Sequence, residues 1–381
     1  MSLCVLSIAL SGCTTRHEPG PYVEIPAGSF AQAWRANLEL GSDRIVSLHR
    51  VGDLVIAMTR RNTAYAMSAQ GGTVKWISQI AEPGRGLGAP TLAGQRIVFP
   101  TADSLVVYSV LGRREKDIPL DRAIRSPLVG EGDFVYAGFD HFNQGRLGRI
   151  SLVAPYMPVR WELMTRGAVS AAPAVFQDTV FSGSEDGNVY AVTDDRAPIW
   201  ALPGNVFSTG APITADLKVD DIAVYVASGD SKLYALDRQT GKILWQYFGG
   251  APLRTSPLVT ADTVYQFVPQ QGIVAIDKLA GDYNRKPRFV VPGAVAALAQ
   301  EGKLVYIRGG DNSVVAIDRS TGKPAFKTSR NDLAYFAANP TGGLVYAATV
   351  DGVVFGIRAV TTGGTVGQLV AAPDTGTQVG G

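Results

Sequence analysis

The chain has 381 residues, of which 46% are apolar and 18% are charged, and its formal net charge is +2. So small a charge, without any block of lysines and arginines, disfavours a nucleic-acid-binding protein. The 43 glycines and 22 prolines are typical of many short strands joined by tight turns. Cys4 and Cys13 are the only cysteines and the three histidines are scattered, so the sequence predicts neither a disulfide framework nor a metal site.

The N-terminal segment predicts export and a lipid anchor. An apolar run from Ser2 to Leu10 is too short to span a bilayer, and it leads into Leu10-Ser11-Gly12-Cys13, which resembles a bacterial lipobox. Residues 1–12 are therefore predicted to be a signal peptide, truncated at its start because no Lys or Arg precedes the apolar run. Cys13 is the predicted lipidation site, and the polar, proline-containing residues 13–30 are the predicted tether. The alternative is an ordinary start followed by a disordered leader.

A repeat of about forty residues fills the rest of the chain. One position of the repeat recurs at spacings of 40 to 44 residues, at Tyr65, Tyr108, Ile150, Tyr190, Tyr234, Val274, Val315 and Phe355. A unit of this size cannot bury its own apolar face, so neighbouring units must stack on one another. We predict an all-β fold, an eight-bladed β-propeller of four-stranded antiparallel blades over residues 31–358, with residues 359–381 as a disordered tail.

One unit, residues 209–245, illustrates the predicted blade. Its inner strand is predicted to begin at 211–214, and the apolar segment 222–227 is predicted to be a second strand buried on both faces. The third strand is predicted at 233–237 and the outer strand at 243–245, because glycine and aspartate mark the reversals between them. The repeated Asp237, Asp277 and Asp318 are interpreted as residues that cap the turn after the third strand.

All five tryptophans fall at one point of the repeat, and we expect them to dock between blades: Trp34, Trp76, Trp161, Trp200 and Trp245. Ala66, Ser151 and Ala235 each precede one of these tryptophans by ten residues, and Phe326 stands where another is expected. The last unit ends without an outer strand. Residues 32–37, which contain Trp34, are predicted to complete that blade and to cover two sheet edges that would otherwise be open.

The segment 235–245, with the sequence ALDRQTGKILW, resembles the tryptophan-docking repeat of quinoprotein-type propellers, and this resemblance covers about residues 31–358. With the lipobox, a single eight-bladed propeller and this length, the chain is similar to the BamB family. Those lipoproteins belong to the machinery that inserts β-barrel proteins into the bacterial outer membrane. The resemblance implies a non-catalytic scaffold on the periplasmic side of the outer membrane, with BamA-like periplasmic domains as its protein partner. Thr14 after the cysteine resembles the sorting pattern of outer-membrane lipoproteins.

The same resemblance implies a partner-binding segment. The family's stretch of the form Leu-x-Leu-Arg-Gly is matched here by residues 163–167, in which Leu163 and Arg166 fit and Thr165 departs. The family's acidic pair one blade later has no counterpart in residues 203–208. Loops on one predicted face are also rich in arginine, and we add Arg125 and Arg254 to the predicted partner-binding residues. A solvated loop face is the alternative reading of these arginines.

Enzymes with this propeller are the rival function class. Quinone-dependent dehydrogenases resemble one another in an adjacent Cys-Cys disulfide and a bound calcium ion, and the repeats of this chain hold no cysteine. No Ser/His/Asp set is recognisable either. The prediction is therefore a protein without catalytic residues, cofactor or metal, and the alternatives are a quinone-binding enzyme or a propeller that senses a small ligand.

Overall fold

The computed structural model describes residues 30–359, apart from residues 142–143, 155, 329, 331 and 341. The predicted signal peptide, the predicted lipidation site Cys13 and nearly all of the predicted tether and tail lie outside the described residues. Strands β1 to β33 form eight antiparallel sheets, and the described residues contain no α-helix and only one 3-10 turn, at Pro203–Asn205. None of the described segments is a helix able to cross a bilayer. The predicted all-β, eight-bladed propeller is confirmed.

The blades follow one another along the chain, each running from an inner to an outer strand. Blade 1 comprises β2 (Ile45–Val51), β3 (Leu54–Thr59), β4 (Thr63–Ser68) and β5 (Val74–Gln79). Blade 2 comprises β6 (Thr91–Ala93), β7 (Arg96–Pro100), β8 (Ser104–Ser109) and β9 (Arg114–Pro119). Blade 3 comprises β10 (Ala123–Ile124), β11 (Val129–Glu131), β12 (Phe134–His141), β13 (Gln144–Ser151) and β14 (Val159–Met164). Blade 4 comprises β15 (Ala174–Phe176), β16 (Thr179–Gly183), β17 (Asn188–Thr193) and β18 (Val206–Ser208).

The second half repeats this plan. Blade 5 comprises β19 (Lys218–Val219), β20 (Ala223–Ala227), β21 (Lys232–Asp237) and β22 (Ile243–Phe248). Blade 6 comprises β23 (Leu258–Val259), β24 (Thr263–Val268), β25 (Gly272–Asp277) and β26 (Pro287–Val291). Blade 7 comprises β27 (Ala294–Glu301), β28 (Leu304–Gly309), β29 (Val314–Asp318) and β30 (Pro324–Lys327). Blade 8 comprises β31 (Leu333–Ala337), β32 (Val345–Thr349), β33 (Val353–Ala359) and, as its outer strand, β1 (Phe30–Asn37).

The N-terminal strand closes the ring as predicted. β1 pairs antiparallel with β33, from Phe30 opposite Ala359 to Asn37 opposite Val353. The inner strand of blade 8, β31, lies beside β2 of blade 1. Because β1 belongs to the last blade and leads into the first, the two ends of the array are joined covalently, and β1 covers the edge of β33 that would otherwise be open.

Two faces follow from this up-and-down order. The turns between first and second strands and between third and fourth strands lie on one face, which we call the turn face. The turns between second and third strands and the connections between blades lie on the other, the loop face. β1 runs from the turn face to the loop face and β33 runs the opposite way, so Phe30 and Ala359 both lie at the turn face.

The predicted unit in blade 5 is right for three strands and wrong for the innermost. Segments 223–227, 232–237 and 243–248 are strands, and every residue of the first is buried. The inner strand is Lys218–Val219, not 211–214. In the predicted segment, Ile213 N–H donates to Ser184 O and Pro212 O accepts from Gly229 N–H. Because these groups bind loop-face turns of blades 4 and 5, they are not available to a sheet ladder.

The apolar core consists of layers between neighbouring blades. One layer joins blades 8 and 1 through Trp34, Tyr65 and Val354, and another joins blades 5 and 6 through Tyr225, Trp245 and Val274. Burial of apolar area between sheets stabilises each junction. The ring therefore depends on side chains that face the next blade, and the tryptophans are the largest of these.

Four tryptophans share one contact. The indole Nε1 of Trp34 donates to Ala69 O (3.0 Å), that of Trp76 to Val110 O (3.1 Å) and that of Trp200 to Arg238 O (3.0 Å). Trp161 makes the same bond to Asp194 O. Each acceptor is the first residue after the third strand of the next blade, so each indole fastens the outer part of one blade to its neighbour.

Blade 6 departs from this pattern at both of its junctions. At the junction with blade 5, Lys278 O accepts from Arg285 Nη2 (3.2 Å), and the Arg285 guanidinium lies 5.5 Å from the centre of the Trp245 ring. At the junction with blade 7, Phe289 occupies the tryptophan position, and a methyl group on Gly322 would overlap its ring. The sequence pattern did not identify Phe289.

The strand register of blade 3 corrects the predicted ten-residue spacing between Ser151 and Trp161. Trp161 pairs with Arg149, whereas Ser151 pairs with Phe134. Trp200 also differs from its counterparts, because it precedes the outer strand β18 and does not lie within it. The turn aspartates behave as predicted: Asp237 Oδ1 accepts from Thr240 N–H (2.7 Å), and Asp277 and Asp318 make the equivalent bonds.

Candidate protein-docking surface

Blade 3 is built differently from the other blades on the loop face. Its hairpin β12–β13 has eight residues in each strand, and the extra strand β10 pairs with the end of β12. The connection to blade 4 lies across this hairpin, where a methyl group on Gly138 would overlap Val169 O and one on Gly145 would overlap Gly167 O. Glycine is needed at both positions because the two backbones approach so closely.

Three of the four predicted partner-binding residues belong to this blade. Arg125 N–H donates to Gly138 O (2.8 Å) on one side of the hairpin, and Thr165 N–H, next to Arg166, donates to Gly145 O (2.9 Å) on the other. The backbones of Arg125 and Arg166 are thus three strand spacings apart across the sheet, about 14 Å. They are also offset along the strands, because Arg125 is level with Leu163. Both arginines are exposed. Arg254 lies in the connection between blades 5 and 6, away from this group.

Leu163 has a different role from that expected of a contact residue. It is half-buried between blades 3 and 4, against Tyr136, Leu147 and Val180. Its neighbour Met164 points to the opposite side of β14 and is 56% exposed. Met164 is therefore the apolar residue that this segment presents to solvent. The alternation of strand side chains was the signal that could have found it.

Arg166 is positioned by a fixed turn of blade 4. Its backbone N–H donates to Asp186 Oδ2 (3.1 Å), which also accepts from the Tyr190 hydroxyl (2.7 Å). Burial and this hydrogen bond to the carboxylate raise the pKa of Tyr190 to about 12. Among the described residues, no carboxylate forms a salt bridge with the Arg166 guanidinium. That group is available to an acidic ligand.

A second cluster of charges lies beside Met164 in the same blade. Arg122 donates to both carboxylate oxygens of Asp121 (2.7 and 2.9 Å) and to Glu162. Arg146, paired across the sheet with Met164, lies 3.6 Å from the other oxygen of Glu162. The hydrogen bond to Asp121, followed by that to Glu162, raises the pKa of Arg122. These bonds hold the outer part of blade 3 rigid behind the exposed residues.

Several other loop-face arginines have bonding partners within the ring. Arg85 forms a salt bridge with Asp103 (2.5 Å), and Arg330 forms one with Asp332. Arg308 donates to Asn312 Oδ1. On the same face, blade 3 presents the exposed side chains of Arg125, Arg166 and Met164. Over the described ranges, no group of three or more His, Cys, Asp or Glu residues is placed to hold a metal ion.

A family model described as "Outer membrane protein assembly factor BamB" matches residues 26–114 and 145–285 of the chain. The two segments together cover more than half of the sequence. The unmatched residues between them, 115–144, include β10, β11 and β12, so the extra strand and Arg125 fall outside the match.

The chain is also similar to a curated relative, the outer membrane protein assembly factor BamB of Nitrosomonas eutropha (strain DSM 101675 / C91 / Nm57). Identity is 26% over 145 residues, which are 36% of this chain and 34% of the relative. The match thus spans about a third of the length of that curated relative.

Among solved structures, the chain is similar to BamB from Moraxella catarrhalis, with a TM-score of 0.65, 19% identity and coverage of 86% of this chain and 97% of that one. It is equally similar to the computationally designed protein Ika8, with a TM-score of 0.65, 15% identity and coverage of 86% and 99%. The C-terminal WD40 domain of Sif2 follows, with a TM-score of 0.63, 13% identity and coverage of 88% and 99%. At these identities the structural likenesses show the fold alone.

Proposed function

The chain belongs to the family of the outer membrane protein assembly factor BamB, and on that premise we propose that it is a non-catalytic scaffold that binds a protein partner. The proposed partner is a BamA-like periplasmic domain, and the proposed process is the assembly of β-barrel proteins in the outer membrane. The proposed location is the periplasmic side of the outer membrane, with a lipid on Cys13 as the anchor.

The observation that carries this proposal is the arrangement on the loop face of blade 3. Arg125 and Arg166 flank a hairpin that is longer than those of the other blades, and Met164 lies exposed on the same blade. Arginine recognises carboxylates through two parallel hydrogen bonds, and an exposed methionine supplies an adaptable apolar contact. We therefore propose that the partner presents an acidic segment with an apolar side chain beside it.

Charge reversal tests this surface. A variant with Arg125→Glu and Arg166→Glu should lose at least about tenfold in partner recovered from solubilised envelope, because one interfacial arginine is worth about 1.4 kcal/mol or more. The matched control is Lys242→Glu with Lys323→Glu, which makes the same change in charge at two exposed turn-face positions. Melting temperatures of both variants should equal that of the unmodified chain.

A separate Arg254→Glu variant tests whether partner binding depends on a local site in blade 3 or on the positive charge of the whole loop face. The arrangement in blade 3 predicts little effect of this change, since Arg254 lies between blades 5 and 6. Recovery of the partner that is equal for the blade 3 variant, the control and the unmodified chain would contradict the proposal.

A further inference from the structure

The three most exposed large apolar side chains of the described residues lie in two neighbouring turns. Leu111 (85% exposed) is in the turn between β8 and β9, and Tyr156 (84%) and Met157 (80%) are in the turn between β13 and β14. Val153 in the second turn is also exposed. Both are turns between third and fourth strands, so all four side chains lie on the turn face, opposite the docking surface of blade 3.

The turn of blade 3 is held in place while its apolar side chains face solvent. Ser151 N–H donates to Pro158 O (2.7 Å), and Ser151 Oγ accepts from Ala154 N–H (3.1 Å). Met157 has a φ of +50°, a strained conformation for a residue with a side chain. Exposure of Val, Tyr and Met side chains to water is unfavourable, and their transfer to a nonaqueous surface would lower the free energy.

Exposed basic groups flank these apolar tips. Arg113 follows Leu111 in its turn, and Arg160 follows the turn of blade 3; both are exposed. Two acids nearby share one basic partner, because Arg96 bonds both Glu115 (3.0 Å) and Asp133 (2.6 Å). With Arg113 and Arg160, three positive and two negative charges leave a net charge of +1 beside the apolar tips. Apolar side chains with a net positive charge beside them favour an anionic membrane surface.

The course of the chain places the same face toward the predicted anchor. Phe30 lies at the turn face, so the 29 residues that precede it, including Cys13, join the ring there. The apolar tips belong to two different turns, one in blade 2 and one in blade 3, and so form separate protrusions. A fluid bilayer interface accepts separate protrusions.

We propose that the turn face of blades 2 and 3 docks on an anionic phospholipid bilayer, with Leu111, Tyr156 and Met157 in the headgroup region and Arg113 and Arg160 against lipid phosphates. This contact is independent of the protein-docking surface and of the lipid on Cys13. It orients the ring so that the loop face of blade 3 points away from the bilayer.

Vesicle flotation tests the proposal on the full chain carrying Cys13→Ser, which removes the lipidation site. The unlipidated chain should bind vesicles of phosphatidylethanolamine with phosphatidylglycerol, and bind phosphatidylcholine vesicles less. Leu111→Asp and the pair Tyr156→Asp with Met157→Asp should each lower binding by about tenfold or more, since burial of one large apolar side chain is worth about that factor. The matched control is Phe248→Asp, which changes an exposed aromatic residue at the loop-face end of blade 5.

A second measurement reports insertion directly. Tyr156→Trp should add a component to the fluorescence of the five native tryptophans, and brominated phospholipids should quench that component. The component added by Phe248→Trp should not be quenched. Absence of vesicle binding by the unlipidated chain, or an equal loss in the Phe248 control, would overturn the proposal. Loss of partner recovery with unchanged vesicle binding in the Leu111 and Tyr156 variants would also overturn it, since the surface would then be a protein interface. No partner is present in the vesicle assay, so its outcome is separate from that of the proposed scaffold function.

Discussion

The indole Nε1 of Trp34 donates a 3.0 Å hydrogen bond to Ala69 O, and this contact joins the N-terminal strand to the first blade. Trp34 belongs to β1, the outer strand of blade 8, whereas Ala69 follows the third strand of blade 1. The ring is therefore closed twice at the same junction, once by the pairing of β1 with β33 and once by this indole. Blade 8 is the one described blade whose outer strand comes from the opposite end of the chain.

Two substitutions at Trp34 separate packing from hydrogen bonding. Trp34→Ala should lower the free energy of unfolding by about 3–5 kcal/mol, because it empties a site in which the side chain is 7% exposed. Trp34→Phe keeps most of the ring and should cost about 1–3 kcal/mol, mainly through the unsatisfied Ala69 carbonyl. Denaturant unfolding measures both. Losses below about 1 kcal/mol for the alanine variant would mean that the indole does not fasten the closing junction.

Docking of an aromatic ring over a turn glycine can be tested by comparing alanine substitutions at two glycines of equal φ. Gly112 and Gly84 both have a φ of +84°, so alanine brings the same backbone strain to each. A methyl group at Gly112 would also overlap the Trp76 ring, whereas nothing lies within 4 Å of one at Gly84. Gly84→Ala should cost about 1–2 kcal/mol, and Gly112→Ala should cost at least about 2 kcal/mol more. Equal losses in urea unfolding would contradict docking at this turn.

Acid should destabilise the ring through His49 on β2. Burial lowers the pKa of His49 to about 4, below its ordinary value of 6.5. Between these values the unfolded chain binds a proton that the folded chain does not, so stability falls as the pH falls from about 6.5 to about 4. The loss is at most about 3 kcal/mol. His49→Gln should remove this part of the pH dependence, measured as the difference in unfolding free energy at pH 7 and pH 4.5. An unchanged difference would show that another group is responsible.

The position used to align the repeats shows which part of the fold could be predicted from the sequence. A bulge follows the pair Ala66–Trp76 in blade 1, and the same bulge follows Val107–Lys116 in blade 2 and Arg149–Trp161 in blade 3. The equivalent positions are thus Val106 and Gly148, each two residues before the Tyr108 and Ile150 of the sequence alignment. Strand side chains alternate, so a shift of two residues keeps the same face and leaves the apolar pattern unchanged. The number of blades could be predicted from the pattern, but the register of these two could not.

Phe289 shows a second limit. Ala275 pairs with Phe289, fourteen residues on, whereas Ala235 pairs with Trp245 after ten. The longer turn of blade 6 uses its additional residues to bind the outer edge of blade 5, where Gln246 N–H donates to Tyr283 O (2.9 Å) and Arg285 N–H donates to Gln246 O (2.8 Å). A fixed spacing misses a position displaced by such an insertion. Arg285 donates to Lys278 O, the position that an indole binds at other junctions. This is a tertiary contact that no local sequence pattern predicts.

The candidate site was predictable only in part, for a related reason. Arg125, Arg166 and Arg254 were all predicted to lie in loops on the same face of the propeller. Sequence order alone cannot tell which of these loops are neighbours in the fold. The structure places the first two on blade 3, on either side of the β12–β13 hairpin, and places the third between blades 5 and 6. Leu163 was selected by its resemblance to a motif, but strand alternation buries it and exposes Met164 instead.

Site-specific photocrosslinking at Met164 shows whether the loop face of blade 3 docks a protein. A photoreactive amino acid at Met164 is compared in intact cells with the same group at Phe248, an exposed residue on the loop-face end of blade 5. We expect a discrete crosslinked protein at Met164 that disappears when Arg125 and Arg166 are reversed to glutamate, and no such product at Phe248. The same product at both positions, or a product at Met164 that persists in the reversed variant, would contradict this expectation.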